Sequence, residues 1–152
     1  MRTVQDWLDA YGESHQDPVN KTIHWICIPP IMLTLVALLS LIPTPVEVSP
    51  FLHWGSLFVL GVCFWYVSLS PRLALGMAVI GTGLVLGTYG LSLLPVPLWI
   101  SALSIFVVAW IGQFIGHKIE GKKPSFLDDL RFLLIGPLFV LGFLYRRFHL
   151  AY

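Results

Sequence analysis

Five histidines stand out among the few polar residues of this 152-residue chain. Three of them have other polar residues at short spacing. The three are His15, His24 and His117, and their polar neighbours are Tyr11, Asn20, Gln113 and Glu120. Imidazole is a suitable ligand for iron, zinc, copper and nickel. Neutral ligands would also leave a divalent ion with a net positive charge that attracts an anionic substrate head group. Any one of these histidines alone is more typical of an amphipathic side chain at a polar boundary. The three together, with their polar neighbours, predict a metal site.

The second group of polar residues follows helical spacing. On a helix, steps of three and four residues place Trp110, Gln113, His117 and Glu120 on one face. Gln113 would lie about one turn inside the membrane, where an amide is costly unless it forms a hydrogen bond. Its role is therefore either an interhelical hydrogen bond or the positioning of a substrate. Lys118 follows His117 directly and is a candidate contact for an anionic head group, or an ordinary basic residue at a membrane boundary.

Composition indicates which elements must position these residues. The chain is 57% hydrophobic and 11% charged, with a mean hydropathy of +0.81, whereas soluble domains are about 25% charged. This excludes a soluble enzyme and a disordered tail, and a net charge of +1 argues against nucleic-acid binding. We expect an all-α integral membrane bundle in which residues 1–152 form a single domain.

Four apolar stretches are long enough to cross a bilayer, which takes roughly 17 to 25 residues. The expected spans are 26–42, 51–69, 73–94 and 98–116, separated by proline-containing breaks. The stretch 132–144 is short and flanked by arginines, so we expect an interfacial or re-entrant helix there. Residues 1–25 carry four acidic residues and are expected to form a cytoplasmic amphipathic segment, with Val4, Trp7, Leu8 and Tyr11 at helical spacing.

The distribution of basic residues predicts the orientation. With a cytoplasmic N-terminus and four spans, all nine Lys and Arg residues fall on the inner side, as the positive-inside rule requires. This topology places His15, His24 and His117 at one cytoplasmic boundary, with His149 on the same side and His53 on the opposite side. Two glycine pairs, Gly83/Gly87 and Gly112/Gly116, allow close helix packing, within one chain in preference to a homodimer. Cys27 and Cys63 are expected to be apolar packing residues without a disulfide.

Two ordered motifs resemble those of a known membrane family. They are Tyr11-x3-His15-x4-Asn20-x3-His24-x4-Pro29 and Trp110-x2-Gln113-Phe114-Ile115-Gly116-His117-x2-Glu120-x3-Pro124, followed by Leu127-Asp128 and Gly136-Pro137-Leu138-Phe139. The family is that of the 2-hydroxy fatty acid dioxygenases of the endoplasmic reticulum and their bacterial relatives. The resemblance covers nearly the whole chain. Departures include Ser125, where alanine is common, and Gly142, where relatives often carry an acidic residue.

The resemblance implies an iron(II)-dependent dioxygenase of fatty acid α-oxidation. Its substrates would be O2 and a long-chain 2-hydroxy fatty acid, which is shortened by one carbon in phytosphingosine degradation. His15, His24 and His117 would hold Fe(II), and Glu120 would be either a fourth ligand or a residue that orients His117. Candidates for substrate positioning or support of the metal ligands are Tyr11, Asn20, Gln113 and Lys118.

Two other functions remain open from the residues alone. One is another metal-dependent membrane lipid enzyme, such as a zinc lipid hydrolase. The other is a non-catalytic assembly factor or carrier, although a carrier would favour polar residues at the helix centres, which are nearly absent here. The expected location is a bacterial inner membrane with a cytoplasmic active site, and the alternative is the endoplasmic reticulum.

Overall fold

The computed structural model describes residues 2–45, 49–127 and 130–150, and Asp128 of the second motif lies outside these ranges. The described residues are helical and contain no strand. The helices are α1 (Val4–Gly12), α2 (Pro18–Ser40), α3 (Trp54–Leu69), α4 (Pro71–Ser92), α5 (Leu98–Glu120) and α6 (Phe132–Arg147), with a short 3-10 turn at Ser125–Leu127. The expected all-α architecture is confirmed.

Three helices are long and apolar enough to cross a membrane: α2, α4 and α5. The fourth expected span, α3, is apolar but has only 16 residues, which corresponds to about 24 Å at 1.5 Å per residue. The prolines inside α2, Pro29 and Pro30, do not end it, as is common in membrane helices. The molecule is therefore consistent with a membrane helical bundle that has three long candidate spans and one shorter apolar helix.

Capping residues move the start of α2 well outside the apolar stretch. The helix begins at Pro18, eight residues before the predicted start at 26, because the Asp17 side chain accepts hydrogen bonds from the backbone N–H groups of Val19 and Asn20. Proline at the first helical position has its φ angle already set for the helix. As a result, Asn20 and His24 belong to the first two turns of α2, which precede the apolar part of the helix.

Close packing between α2 and α5 brings the two motifs together, and this helix pair has the most extensive contact in the bundle. Gly112 and Gly116 of α5 face α2. A Cβ atom added to Gly112 would lie 2.6 Å from Cys27 Sγ, and one added to Gly116 would overlap Asn20 Oδ1. The predicted packing of this glycine pair within one chain is confirmed, and Cys27 and Cys63 are free thiols as expected.

The predicted amphipathic N-terminal helix is α1, and its apolar face is buried against α6. Trp7 meets Phe132 edge to face with ring centroids 5.4 Å apart. The guanidinium groups of Arg2 and Arg131 lie 4.9 and 4.8 Å from the Trp7 ring centroid, within cation–π distance. The contacts of Trp7 with Phe132 and Arg131 attach α1 to the start of α6. They therefore help to position His15, which lies three residues after the end of α1.

Candidate metal centre

The three histidines predicted from the sequence lie together. One potential ligand atom from each of His15, His24 and His117 lies within 4.8 Å of the others. They come from the linker between α1 and α2 (residues 13–17), from the second turn of α2 and from the last turn of α5. Their side chains are buried, with 1%, 2% and 7% exposure. The fold thus brings His117 to His24, which precedes it by 93 residues in the sequence, and to His15.

Backbone carbonyls set the tautomers of two of these rings. His15 Nδ1 lies 2.6 Å from the Tyr11 carbonyl oxygen, and His24 Nδ1 lies 2.9 Å from that of Asn20. A carbonyl only accepts hydrogen bonds, so each Nδ1 carries the proton and donates it. The Nε2 atoms of both rings therefore present lone pairs, and a carbonyl bond of this kind is typical of metal-binding histidines.

The positions of these Nε2 atoms fit a bound cation. His24 Nε2 lies 3.2 Å from His117 Nε2. Two nitrogens bound to one ion at about 2.1 Å, with an angle of 90 to 110° between them, are about 3.0 to 3.4 Å apart. His15 Nε2 is buried and has no hydrogen-bond partner among the described residues. A cation would satisfy these lone pairs, and an all-imidazole donor set accommodates iron, zinc, copper or nickel.

Burial keeps the His15 ring in the state that binds metals. Loss of solvation lowers the pKa of His15 to about 4, against the ordinary value of 6.5, and the hydrogen bond to the Tyr11 carbonyl opposes this only in part. His15 is therefore neutral near pH 7. Metal ligation requires the unprotonated nitrogen, so the protein does not have to remove a proton from His15 before an ion binds.

Glu120 joins α5 to the linker between α1 and α2. Its Oε1 accepts the backbone N–H of Gln16 at 2.8 Å, and its Oε2 accepts the backbone N–H of Asp17 at 2.8 Å and the amide of Asn20 at 3.0 Å. The group of potential ligands found among the described residues contains no carboxylate. Glu120 therefore holds the segment that carries His15, an arrangement that differs from both roles expected for it, ligand and direct partner of His117.

Asn20 connects Glu120 to the histidines. Its carbonyl accepts the His24 ring, its side-chain amide donates to Glu120 and to the carbonyl of Ser14, and the side chain is fully buried. Its Oδ1 has no hydrogen-bond partner among the described residues and faces Gly116. Only a glycine in α5 leaves room for this side chain.

A cavity of about 60 Å³ adjoins the histidines, and both Tyr11 and Gln113 line it. The Tyr11 ring stacks on His15 with centroids 4.0 Å apart and planes 10° from parallel. Burial raises the pKa of the Tyr11 phenol, so its hydroxyl remains a hydrogen-bond donor. Gln113 is 6% exposed and forms no hydrogen bond within the described part of the chain, so the interhelical hydrogen bond considered for it is not found.

Other residues considered from the sequence lie elsewhere. Lys118 is exposed, because a step of one residue along α5 turns it about 100° away from His117. His53 caps the start of α3, where its Nδ1 accepts the backbone N–H of Ser56. His149 is exposed near the C-terminal end. Neither histidine belongs to the three-histidine group.

Two serines beside the site were not predicted to contribute. Ser14 Oγ lies 3.2 Å from His15 Nδ1 and forms a short hydrogen bond with Ser125 Oγ. Ser125 had been noted only as a departure from the family pattern. Nothing in the sequence indicates this contact, because 111 residues separate the two serines.

Comparison with known proteins places the chain in a family. The sequence model of a family described as "2-hydroxy-palmitic acid dioxygenase Mpo1-like" matches residues 1–148. The 2-hydroxy-palmitic acid dioxygenase MPO1 of Saccharomyces cerevisiae is 28% identical over 140 residues, which cover 91% of this chain and 77% of the yeast protein. No solved structure matches significantly. Because the family match spans nearly the whole chain and includes all three histidines, this protein belongs to the Mpo1-like family.

Proposed function

We propose that this protein is an iron(II)-dependent dioxygenase that shortens long-chain 2-hydroxy fatty acids by one carbon. The observation that carries the proposal is the buried group of His15, His24 and His117 in a chain of the Mpo1-like family. A relative named for action on 2-hydroxy-palmitic acid supports the substrate class. The cleaved bond would join C1, the carboxyl carbon, to the C2 that bears the hydroxyl group.

The three histidines are the residues that would hold the iron. When bound, iron(II) would supply the redox chemistry with O2 that cleavage of this carbon–carbon bond requires. Because all three ligands are neutral imidazoles, they leave the charge of a divalent ion uncompensated, which favours binding of a carboxylate substrate. Three protein ligands also leave room in the coordination sphere for other groups.

Tyr11 and Gln113 would orient the polar end of the substrate. Both line the cavity beside the histidines, and both offer hydrogen-bond donors. The Gln113 amide has no partner within the described residues, so a substrate carboxylate or hydroxyl would relieve the cost of burying it. Asn20 and Glu120 would act at one remove, by holding the linker that carries His15 in place on α5.

The proposed location is a cytoplasmic membrane of a bacterium, with the site at the inner face. The supporting observation is that residues 44–50 and 95–97, the two loops expected to face outward, contain no Lys or Arg. A site at one face of the membrane also requires His24 and His117 to lie at the same end of the bundle. These histidines come from two different candidate spans and do lie together. The test uses the single-cysteine variants Thr44→Cys and Lys122→Cys, labelled in intact cells with a thiol reagent that does not cross the membrane. We expect label on Thr44→Cys, and label on Lys122→Cys would contradict the proposed location.

The test of the activity is turnover of 2-hydroxypalmitate by the purified protein, loaded anaerobically with Fe(II) and then given O2. We expect pentadecanoate as the product and about one iron per chain by elemental analysis. His15→Ala, His24→Ala and His117→Ala should each lose iron and activity, whereas His53→Ala is the matched control because that histidine is buried outside the group. Iron-loaded protein without O2-dependent turnover, or zinc-loaded protein that converts 2-hydroxypalmitate to pentadecanoate as fast as the iron-loaded form, would contradict the proposal.

A further inference from the structure

A second cavity, larger and apolar, adjoins the one beside the histidines. Its volume is about 160 Å³, and residues of α2, α3, α4, α5 and α6 line it. Five residues line both cavities and form the boundary between them: Ile31, Met32, Trp110, Leu133 and Pro137. The two cavities therefore lie side by side with part of their walls in common, and they differ in polarity.

The wall of this second cavity carries no charged residue within the described part of the chain. Tyr66 lines the cavity, and its hydroxyl group donates a 2.6 Å hydrogen bond to the carbonyl oxygen of Leu134. This hydroxyl therefore does not need a polar group of a ligand as a partner. Most of the other lining residues are Ile, Leu, Val, Met and Phe. Such a space favours an apolar ligand. The buried Trp110 Nε1, which has no hydrogen-bond partner among the described residues, belongs to the wall shared with the cavity beside the histidines.

A continuous stripe on α2 connects the histidines to this cavity. His24 and Ile28 line the first cavity, Ile31 lines both, and Leu35 lines the second. Their spacing of four, three and four residues is that of one helix face. Along α2, Leu35 is eleven residues beyond His24, or about 16 Å at 1.5 Å per residue. An extended acyl chain advances about 1.25 Å per carbon, given bonds of about 1.5 Å, so this distance holds about a dozen methylene groups.

We propose that the second cavity binds the acyl chain of the substrate and that its far wall, formed by Leu35 and Leu84, sets the preferred chain length. The inference rests on the proposed function for the identity of the ligand. The carboxyl and hydroxyl groups then lie beside the histidines, and the methyl end lies between α2 and α4. Leu84 follows Met77 and Gly81 at helical spacing on the α4 face that lines the cavity.

The test of binding uses photolabelling and does not depend on turnover. A 2-hydroxypalmitate analogue with a diazirine near its methyl end is irradiated with the full-length protein, and the labelled residues are identified from fragment ions by mass spectrometry. We expect label on Leu35 and Leu84, and competition by unlabelled 2-hydroxypalmitate. Label confined to lipid-facing residues such as Leu86, which is 55% exposed, would overturn the inference.

The test of length selection uses Leu84→Trp, with Leu86→Trp as the matched control two residues away on α4. The larger side chain shortens the space for the acyl chain, and each methylene that loses its place weakens binding about fourfold, from about 0.8 kcal/mol per CH2. For Leu84→Trp we expect the preferred substrate to become shorter by two or more carbons and turnover of 2-hydroxypalmitate to fall at least tenfold. Leu84→Ala should shift the preference toward longer chains.

The outcomes separate the two proposals. If wild-type protein turns over 2-hydroxy acids but Leu84→Trp and Leu86→Trp have the same chain-length profile, the cavity assignment is wrong and the activity stands. If the photolabel marks the cavity and Leu84→Trp abolishes that labelling while no turnover is found, the cavity assignment stands and the proposed reaction is wrong. Thermal unfolding of each variant shows that it is folded before either comparison is made.

Discussion

Removal of the Glu120 carboxylate should weaken iron binding without removing any metal ligand. The change is Glu120→Ala, which eliminates three hydrogen bonds between α5 and the region that carries His15 and Asn20. The histidine group forms only while this region is docked on α5. The loss therefore reduces the fraction of molecules that are ready to bind, and the apparent affinity falls by the same factor.

The size of the effect follows from these contacts. Each hydrogen bond is assigned about 1 kcal/mol net, below the usual range for bonds to charged groups, because Glu120 is only partly buried. Three bonds amount to about 3 kcal/mol, which sets an upper limit of roughly 100-fold on the loss of affinity, at 1.4 kcal/mol per factor of ten. Losses of 10- to 100-fold are typical for residues that support metal ligands. We therefore expect iron(II) to bind Glu120→Ala 10- to 100-fold more weakly.

Anaerobic titration with iron(II) measures this affinity. Binding is followed by quenching of the tryptophan fluorescence, to which Trp110 in the adjoining cavity contributes. The matched control is Glu13→Ala, which removes the same charge from an exposed residue of the linker between α1 and α2 and should change affinity less than twofold. Glu120→Gln keeps one acceptor oxygen and should be intermediate. If Glu120→Ala binds iron as tightly as wild type and melts at the same temperature, the linker does not depend on this carboxylate and the reasoning is refuted.

Three other perturbations test separate parts of the structure. Gly116→Ala should destabilise the protein by about 1 to 3 kcal/mol through overpacking, seen as a lower melting temperature, whereas Gly83→Ala should not, because nothing lies within 4 Å of a Cβ there. Burial lowers the pKa of His53, so its neutral form is favoured in the folded state and its contribution to stability is lost as pH falls below about 6.5. His53→Asn keeps a capping side chain without titrating and should flatten the pH dependence of the melting temperature between pH 7 and 5; an unchanged slope would count against this cap. Gln113→Leu should lower turnover of 2-hydroxypalmitate at least tenfold while iron affinity stays within twofold, and equal losses in both would assign Gln113 to the metal site instead.

The helical architecture and the three histidines of the candidate metal centre could be predicted from the sequence. Hydropathy and low charge require helices with long apolar stretches, since the backbone of a membrane segment must satisfy its own hydrogen bonds. The positive-inside pattern placed His24 and His117 at one boundary, and the helical spacing of Gln113 and His117 placed both on one face. The Gly112/Gly116 pair likewise indicated the close contact that α5 makes with α2.

Helix ends were less predictable, because hydropathy marks the part of a helix that is apolar and not the part that is helical. Asp17 and Pro18 start α2 eight residues before the apolar stretch, and α3 has only 16 residues. The role of Glu120 could not be read from its spacing to His117. Its partners are backbone N–H groups of Gln16 and Asp17, more than 100 residues away. Because almost every residue has a backbone N–H group, the sequence does not indicate which of them a carboxylate will bind.

The chain's residue types and periodicity were sufficient to specify a histidine-rich polar boundary on an apolar bundle. The packing of the helices was needed to select among those histidines, because His15, His24 and His117 become one group through contacts between distant segments, while His53 and His149 have the same chemistry in other surroundings. The same packing produces the apolar cavity behind the site. A cavity depends on the space that side chains from five helices leave between them, and local sequence patterns describe one helix at a time.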